Sequence, residues 1–328
     1  MTRTTAAAYR FHNNHPGEDD FYREVIAAFS KQPRCIPPKY FYDDAGSQLF
    51  EAICRQPEYY LTRTETKLLA DYADEIASLT GSGCYLIEPG SGNCGKVRHL
   101  LDSMQPAAYV PMDISCDHLQ QSAHCIASDY PWLHVQAVCT DITSATELPF
   151  IPGGVQRVVF YPGSSIGNFE PRDALAYLRE LGQLAGADGG LLIGVDLQKN
   201  TAVLDAAYND ARGVTADFNL NLLRRINREL DGDIPVNAFR HHAFYNETES
   251  RIEMHLVSEC ELLVHVNGHR FRFEAGESIH TENSYKYSVS SFRDLAERAG
   301  FRSEAVWTDA AELFSLHLLR AIDSGRVQ

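Results

Sequence analysis

The chain has 328 residues, 44% hydrophobic and 22% charged. That is enough to bury one large core or two ordinary ones, and too apolar for extended disorder or a fibrous architecture. Its formal net charge is −15, from 29 Lys+Arg against 44 Asp+Glu, with no block of clustered basic residues, so neither a nucleic-acid nor a membrane partner is expected.

The N-terminal stretch MTRTTAAAYRFHNNHPGEDD has no apolar signal core, and no apolar run reaches the length of a membrane span. A cytoplasmic protein is expected. None of the eight cysteines (Cys35, Cys54, Cys84, Cys94, Cys116, Cys125, Cys139 and Cys260) forms a C-x-x-C pair, and reduced thiols are expected. The histidines show no metal pattern. His241 and His242 are adjacent and face apart in any regular element. His255 and His265 lie on strand-like runs without a spaced acidic or cysteine partner, so no metal is expected.

Phe21, Val25, Ile26 and Phe29 recur at helical spacing behind Glu18-Asp19-Asp20. Ile36-Pro37-Pro38 breaks that helix, and a short one holding Leu49, Phe50 and Ile53 follows. Gln56-Pro57-Glu58-Tyr59-Tyr60 reads as a loop, and a helix is predicted from Thr64 to Ile76, capped by Thr62 or Thr64. Then short apolar strands alternate with helices. The strands are Cys84–Ile87, Ala108–Met112, His134–Val138, Val158–Tyr161 and Leu191–Val195; the helices include Gly95–Met104 and Pro171–Leu184. This rhythm predicts a parallel sheet with crossover helices.

Residues 198–250 read as helix and loop. From Arg251 the pattern is antiparallel, with strands Ile252–Val257, Glu261–Val266 and His269–Phe273 and a type I′ turn at Asn267-Gly268. A helix at Ser291–Ala299 and a strand pair at Ser303–Trp307 and Phe314–Leu319 close the chain. The α/β pattern is thus interrupted and resumed. It predicts one domain from 64–197 with 288–328, and a smaller one from 1–63 with 198–287.

The strongest local signal is Leu86-Ile87-Glu88-Pro89-Gly90-Ser91-Gly92-Asn93-Cys94-Gly95-Lys96, a strand entering a glycine-rich turn and then a helix. Glycines admit a ligand close to the backbone, and a helix start offers free N–H groups. Asp113 ends the second strand, where a carboxylate can take both ribose hydroxyls. Asp141 ends the third, where one can accept from an adenine amino group. Glycines at 90, 92 and 95 fit a nicotinamide dinucleotide as well as S-adenosylmethionine. Glu88 just before the turn favours the second, because it resembles the E/D-x-G-x-G motif of class I methyltransferases.

Three further groups stand out. The loop Tyr161–Phe169 leaves the carboxyl edge of the sheet, where open α/β sheets bind ligands; in it Asn168 offers amide N–H groups and Gly163 a backbone carbonyl. Tyr42, Phe50, Tyr59, Tyr60 and Tyr208 offer faces for an ammonium group and hydroxyls for a carboxylate. Glu282 and Ser284, two residues apart, share one side of an extended chain and can grip an imidazole. Met254 is a candidate pocket wall. Taken alone, each of these groups is more at home as turn, core or strand end.

Together they resemble the histidine-specific Nα-methyltransferases of ergothioneine biosynthesis, which convert L-histidine to hercynine. The resemblance spans nearly the whole chain. It rests on Pro37-Pro38-Lys39-Tyr40-Phe41-Tyr42-Asp43, Pro57-Glu58-Tyr59-Tyr60-Leu61-Thr62-Arg63-Thr64-Glu65, Gly163-Ser164-Ser165-Ile166-Gly167-Asn168, Ala207-Tyr208-Asn209-Asp210, Arg251-Ile252-Glu253-Met254 and Glu282-Asn283-Ser284-Tyr285-Lys286. It implies a class I (Rossmann-like) α/β methyltransferase domain with a second, smaller substrate-binding domain. It implies S-adenosylmethionine held at Gly90, Lys96, Asp113 and Asp141, joined by Glu88 and Gly92 of the motif. It implies histidine held by Tyr59, Asn168 and Tyr208, with Gly163 near the amine, the imidazole read by Glu282 and Ser284, and Tyr42, Phe50 and Met254 lining the pocket. A monomer is expected. The chain departs from the family at Asn93-Cys94-Gly95, where a Thr/Ser-type pair and an acidic residue are usual, and at Ser165 in place of Thr. The alternatives are an Nα-methyltransferase for tryptophan or tyrosine, and a non-catalytic binding homologue.

Overall fold

The computed structural model describes residues 9–14, 19–142, 147–187 and 189–322. Glu18 of the acidic helix start lies outside them. In chain order the first elements are β1 (Tyr9–Asn13), α1 (Asp19–Phe29), β2 (Arg34–Cys35), α2 (Asp44–Cys54) and α3 (Tyr60–Thr80). Next come β3 (Tyr85–Pro89), α4 (Arg98–Met104), β4 (Ala108–Asp113), α5 (Cys116–Asp129), β5 (His134–Cys139) and β6 (Arg157–Tyr161). α6 (Pro171–Ala185), β7 (Gly190–Asp196), α7 (Thr201–Tyr208) and α8 (Val214–Glu229) follow. The rest are β8 (Phe239–Asn246), β9 (Arg251–Ser258), β10 (Leu262–Val266), β11 (His269–Phe273), β12 (Ser278–Tyr285), α9 (Val289–Arg298), β13 (Phe301–Thr308) and β14 (Phe314–Ala321).

These divide into two compact units. The first comprises the described parts of Met1–His15, Leu61–Leu197 and Tyr287–Gln328; the second, those of Pro16–Tyr60 and Gln198–Lys286. In the first, eight strands run in the order β1-β5-β4-β3-β6-β7-β14-β13. β1, β5, β4, β3, β6 and β7 pair in parallel, and β14 enters antiparallel between β7 and β13. Every residue of β7 is buried, as a central strand covered on both faces requires. One face packs on α6 and α9 through Val159, Leu178, Leu191, Ile193, Phe292 and Phe301. Truncating one of these large side chains to alanine costs about 2–5 kcal/mol.

In the second unit, β2-β12-β9-β8 form a mixed sheet and β10-β11 a hairpin. Asn267 and Gly268 both have positive φ, as a type I′ turn demands. α8 packs on β8 and β9, and Phe218, Leu222, Ile252, Leu256 and Ile279 are buried.

The structure differs from the sequence expectation at five places. β1, from the N-terminal segment assigned to the smaller domain, pairs with β5 at the edge of the parallel sheet. α3 starts at Tyr60, because Tyr60 and Leu61 are buried and continue its apolar face; Thr62 and Thr64 lie inside it. α4 starts at Arg98, because Gly90, Gly92 and Cys94 all have positive φ and hold the turn out of helical geometry. β8 occupies residues read as helix and loop. Its sequence is polar and weakly alternating, and pairing with β9 makes it a strand. Finally, Cys116 and Cys139 form a disulfide. α5 leaves the end of β4 beside the end of neighbouring β5, and the two Cα atoms lie 5.1 Å apart. No helix among the described residues is long and apolar enough to cross a membrane.

Candidate active site

In the first unit the turn after β3 is tied to the end of β4. Gly90 and Ser91 donate their N–H groups to the Met112 carbonyl at 2.7 and 3.0 Å. Gly92 N donates to Asp113 Oδ2 at 2.9 Å, and Ser115 N donates to Oδ1 at 3.0 Å. Burial pushes the Asp113 carboxyl up against these bonds. With the Ile114 backbone also bonding the carboxylate, acceptor capacity remains for a ligand hydroxyl. Glu88 is 1% exposed and hydrogen bonds with the Tyr109 hydroxyl; burial pushes it up to about 8. Cys94 is buried in a left-handed conformation, its thiol pushed up to about 12 by burial. Asn93 Oδ1 accepts from Gly95 N at 3.0 Å. The chain's departure from the family pattern is thus a turn with its own internal support. Asp141 is buried just beyond β5.

Lys96 is ion-paired to Glu65 Oε2 at 2.6 Å. Glu65 is fully buried on α3, and its two oxygens also accept the N–H of Gly163. The same carboxylate therefore holds a predicted donor-side residue and the loop after β6. In that loop Ser164 has φ +59°, its Oγ accepts from Asp196 N at 2.9 Å, and Asn168 closes a 3-10 turn over Ser165–Asn168.

In the second unit β12 carries an extra residue. His280 pairs with His255 and Glu282 with Met254, so Thr281 is a β-bulge. Directly paired residues share a face. Glu282, Ser284, Met254 and Ile252 therefore share the face packed by α8, while His280 and Asn283 point to the other. Thr281 Oγ1 donates to Asn219 Oδ1 of α8 at 2.9 Å and to the Met254 carbonyl at 3.0 Å, which pins the bulge. Asn219 Nδ2 contacts His241 Nδ1 at 2.9 Å, and His241 Nε2 bonds the Tyr208 carbonyl at 3.0 Å.

The Tyr208 hydroxyl donates to Ser284 Oγ at 2.9 Å, and Lys286 Nζ donates to the same Oγ at 2.8 Å. Lys286 is 2% exposed and stands over the Tyr208 ring at 5.1 Å. Burial pushes Glu282 up to about 7, and the Lys286 charge opposes the shift. Tyr59, Tyr42 and Phe50 form an edge-to-face chain. Tyr59 meets Tyr208 at 6.2 Å and Phe50 at 6.3 Å, and Phe50 meets Tyr42 at 5.7 Å. Burial holds the Tyr59 hydroxyl well above its ordinary value, so it stays a donor at neutral pH.

The structure thus groups Tyr42, Phe50, Tyr59, Tyr208, Met254, Glu282 and Ser284 in one unit. It groups Glu88, Gly90, Gly92, Lys96, Asp113, Asp141, Gly163 and Asn168 in the other. Sequence reasoning missed Glu65 and Lys286 as site members. The signal for Glu65 was available: it lies four residues after Leu61 and three or four before Leu68 and Leu69, on the apolar face of its helix. Two histidine expectations are also corrected. His255 Nε2 lies 3.0 Å from Glu253, and His265 Nδ1 lies 2.8 Å from Asp233.

Comparison with known proteins bears on both halves. A family model described as "Histidine-specific methyltransferase, SAM-dependent" matches residues 21–321. The histidine N-alpha-methyltransferase of Mycolicibacterium smegmatis is 40% identical over 303 residues, covering 90% of this chain and 93% of that protein. The histidine N-alpha-methyltransferase of Mycobacterium tuberculosis is 39% identical over 315 residues, covering 93% and 97%. A more distant relative, the 4-dimethylallyltryptophan N-methyltransferase of Epichloe festucae var. lolii, is 26% identical and covers 89% and 92%. The parallel sheet with its reversed strand is that of a class I S-adenosylmethionine-dependent methyltransferase, and the chain belongs to the histidine-specific family of these enzymes.

Proposed function

We propose that the protein methylates the α-amine of L-histidine three times with S-adenosylmethionine, giving hercynine, the first step of ergothioneine-type biosynthesis. The observation that carries this reading is the face shared by Glu282, Ser284 and Met254 beside the Tyr208 hydroxyl. A buried carboxylate and a hydroxyl on one strand suit the two nitrogens of an imidazole. An indole or phenol ring offers no such pair.

The turn of the first unit fits the methyl donor. Gly90 and Gly92 are left-handed, with nothing closer than 3.4 Å to where a Cβ would stand, and Asp113 keeps acceptor capacity for ribose hydroxyls. Gly90, Gly92, Lys96, Asp113 and Asp141 would hold the donor, with Glu88 and Tyr109 backing the turn. Bound there, its sulfonium supplies an electrophilic methyl group. The remaining work belongs to the chain. The substrate amine has a pKa of about 8 and must shed its proton to offer a lone pair. In the second unit Tyr59 donates to the α-carboxylate, Tyr208 orients the amine, and Tyr42, Phe50 and Met254 enclose the substrate; in the first, Gly163 and Asn168 stand in the loop after β6, on the donor's side. Lys286 holds Ser284 and Tyr208 and tunes Glu282. After three transfers no lone pair remains, so the reaction stops at the betaine.

The test is mass spectrometry of histidine, tryptophan and tyrosine, each incubated with the protein and S-adenosylmethionine. Histidine should gain one, two and three methyl groups. Methylation of another member of the panel, with histidine untouched, would replace this reading.

A further inference from the structure

The face of the second unit's sheet that looks away from α8 carries a row of metal-ligating side chains. His242 of β8 pairs with His255 of β9, His255 with His280 of β12, and His280 with Cys35 of β2. Directly paired residues project to the same side, so four strands present His, His, His and Cys in line. Glu253, two residues before His255, is on that side too. One ligand atom each of Glu253, His255 and His280 lies within 4.8 Å of those of the other two. We propose that Glu253, His255 and His280, with Cys35 beside them, form a binding site for a Zn2+-type divalent ion.

The spacing suits one ion. Donors bound tetrahedrally to zinc at about 2.0–2.3 Å lie roughly 3.3–3.7 Å from one another. Glu253 Oε2 is 3.0 Å from His255 Nε2, and Cys35 Sγ is 3.9 Å from His280 Nδ1. The two imidazoles stack at 4.8 Å between centroids.

Outer partners are in place. Arg251 Nε and Asn246 Nδ2 hold Glu253 Oε1 at 2.9 and 3.0 Å, which leaves Oε2 toward the imidazoles. The Glu282 carbonyl accepts from His280 Nε2 at 3.1 Å, which leaves Nδ1 with its lone pair toward Cys35. Ligating histidines are oriented by such bonds from their second nitrogen. Nitrogen, sulfur and a single carboxylate favour zinc over magnesium or calcium.

The test uses the full chain stripped with EDTA, with neither methyl donor nor histidine present, and Zn2+ titrated against a chromophoric chelator. Zinc should bind the wild type, and the double variant His255→Ala/His280→Ala should bind it at least about tenfold more weakly. Equal affinity in a variant with an unchanged circular-dichroism spectrum overturns the proposal. Co2+ gives a second readout that needs no ligand to be removed. Tetrahedral d–d bands in the wild type, with a thiolate band lost in Cys35→Ser, support the site; the spectrum of the hydrated ion alone overturns it.

Discussion

The carboxylate of Glu65 receives the backbone N–H of Gly163 with both oxygens, at 2.9 and 3.0 Å, across 98 positions of sequence. The same group pairs with Lys96. Position 194 on β7 leaves room for it only as glycine, because a Cβ there would stand 2.0 Å from Glu65 Oε1. Glu65→Gln turns an amide donor toward Gly163 N or Lys96, and Gly194→Ala displaces the side chain. Both should weaken S-adenosylmethionine binding by about tenfold or more, as expected for losing a hydrogen bond to a charged group. Calorimetric titration with the donor checks this; wild-type affinity in both variants removes Glu65 from the site.

Glu282 should govern the choice of substrate. Glu282→Ala removes the buried polar reader, and kcat/KM for histidine relative to phenylalanine should fall by about 100-fold. Equal discrimination in the variant would refute the role.

Lys286 sets when that reader is charged. Burial raises Glu282 to about 7, and the Lys286 charge pulls it down. In Lys286→Met the pull is gone, so the carboxylate should form only at higher pH. The midpoint of histidine binding against pH should move upward relative to wild type. The substrate's own titration is common to both proteins, so it drops out of the comparison. An unmoved midpoint means that Lys286 acts only by holding Ser284.

Above neutral pH, where the buried histidines are uncharged in both states, stability of the ligand-free protein should decline as pH rises. Glu88 has its folded value raised from 4.5 to about 8. A carboxyl raised in this way contributes stability that is complete below its unfolded value and lost as pH climbs through the folded one. Glu282 acts in the same direction. Thermal unfolding from pH 7 to 9, above the range in which the unfolded chain's histidines give up their protons, should show the midpoint falling, and Glu88→Gln should flatten the fall while keeping the Tyr109 contact. Parallel curves for the two proteins would contradict this.

The Cys116–Cys139 bridge closes a loop of 23 residues, for which roughly 3 kcal/mol is expected. Dithiothreitol, or the double variant Cys116→Ser/Cys139→Ser, should lower the melting temperature by several degrees. Alkylation of the denatured, unreduced chain should leave these two cysteines unlabelled. Full labelling, or a melting curve indifferent to reductant, would count against the bridge.

The parallel strands were legible because each is a short apolar run between turn residues, as at Val158–Tyr161 and Leu191–Val195. The glycine turn was legible because its conformations exclude most other residues. β8 was not, since its His241-His242 and Asn246 carry no alternating apolar signal, and its strand state comes from pairing with β9. The burial of Glu65 was readable from the apolar face of its helix, but its partner Gly163 lies far away in sequence and no local pattern announces it. The disulfide was missed for the same reason: only the β4–β5 pairing brings its ends together. On β12 the two-residue spacing correctly put Glu282 and Ser284 on one side, but could not say which side, because the bulge lies just before them.

That one surplus residue decides which chemistry the sheet displays where. In an unbroken strand His280 and Glu282 would project together, and imidazoles would crowd the carboxylate meant for a substrate ring. Thr281, gripped by Asn219 and the Met254 carbonyl, shifts the parity of everything after it. Were that grip released and the pairing to slip by one, Asn283 would replace Glu282 toward α8. The enzyme would then lose its substrate preference with every specificity residue still present in its sequence.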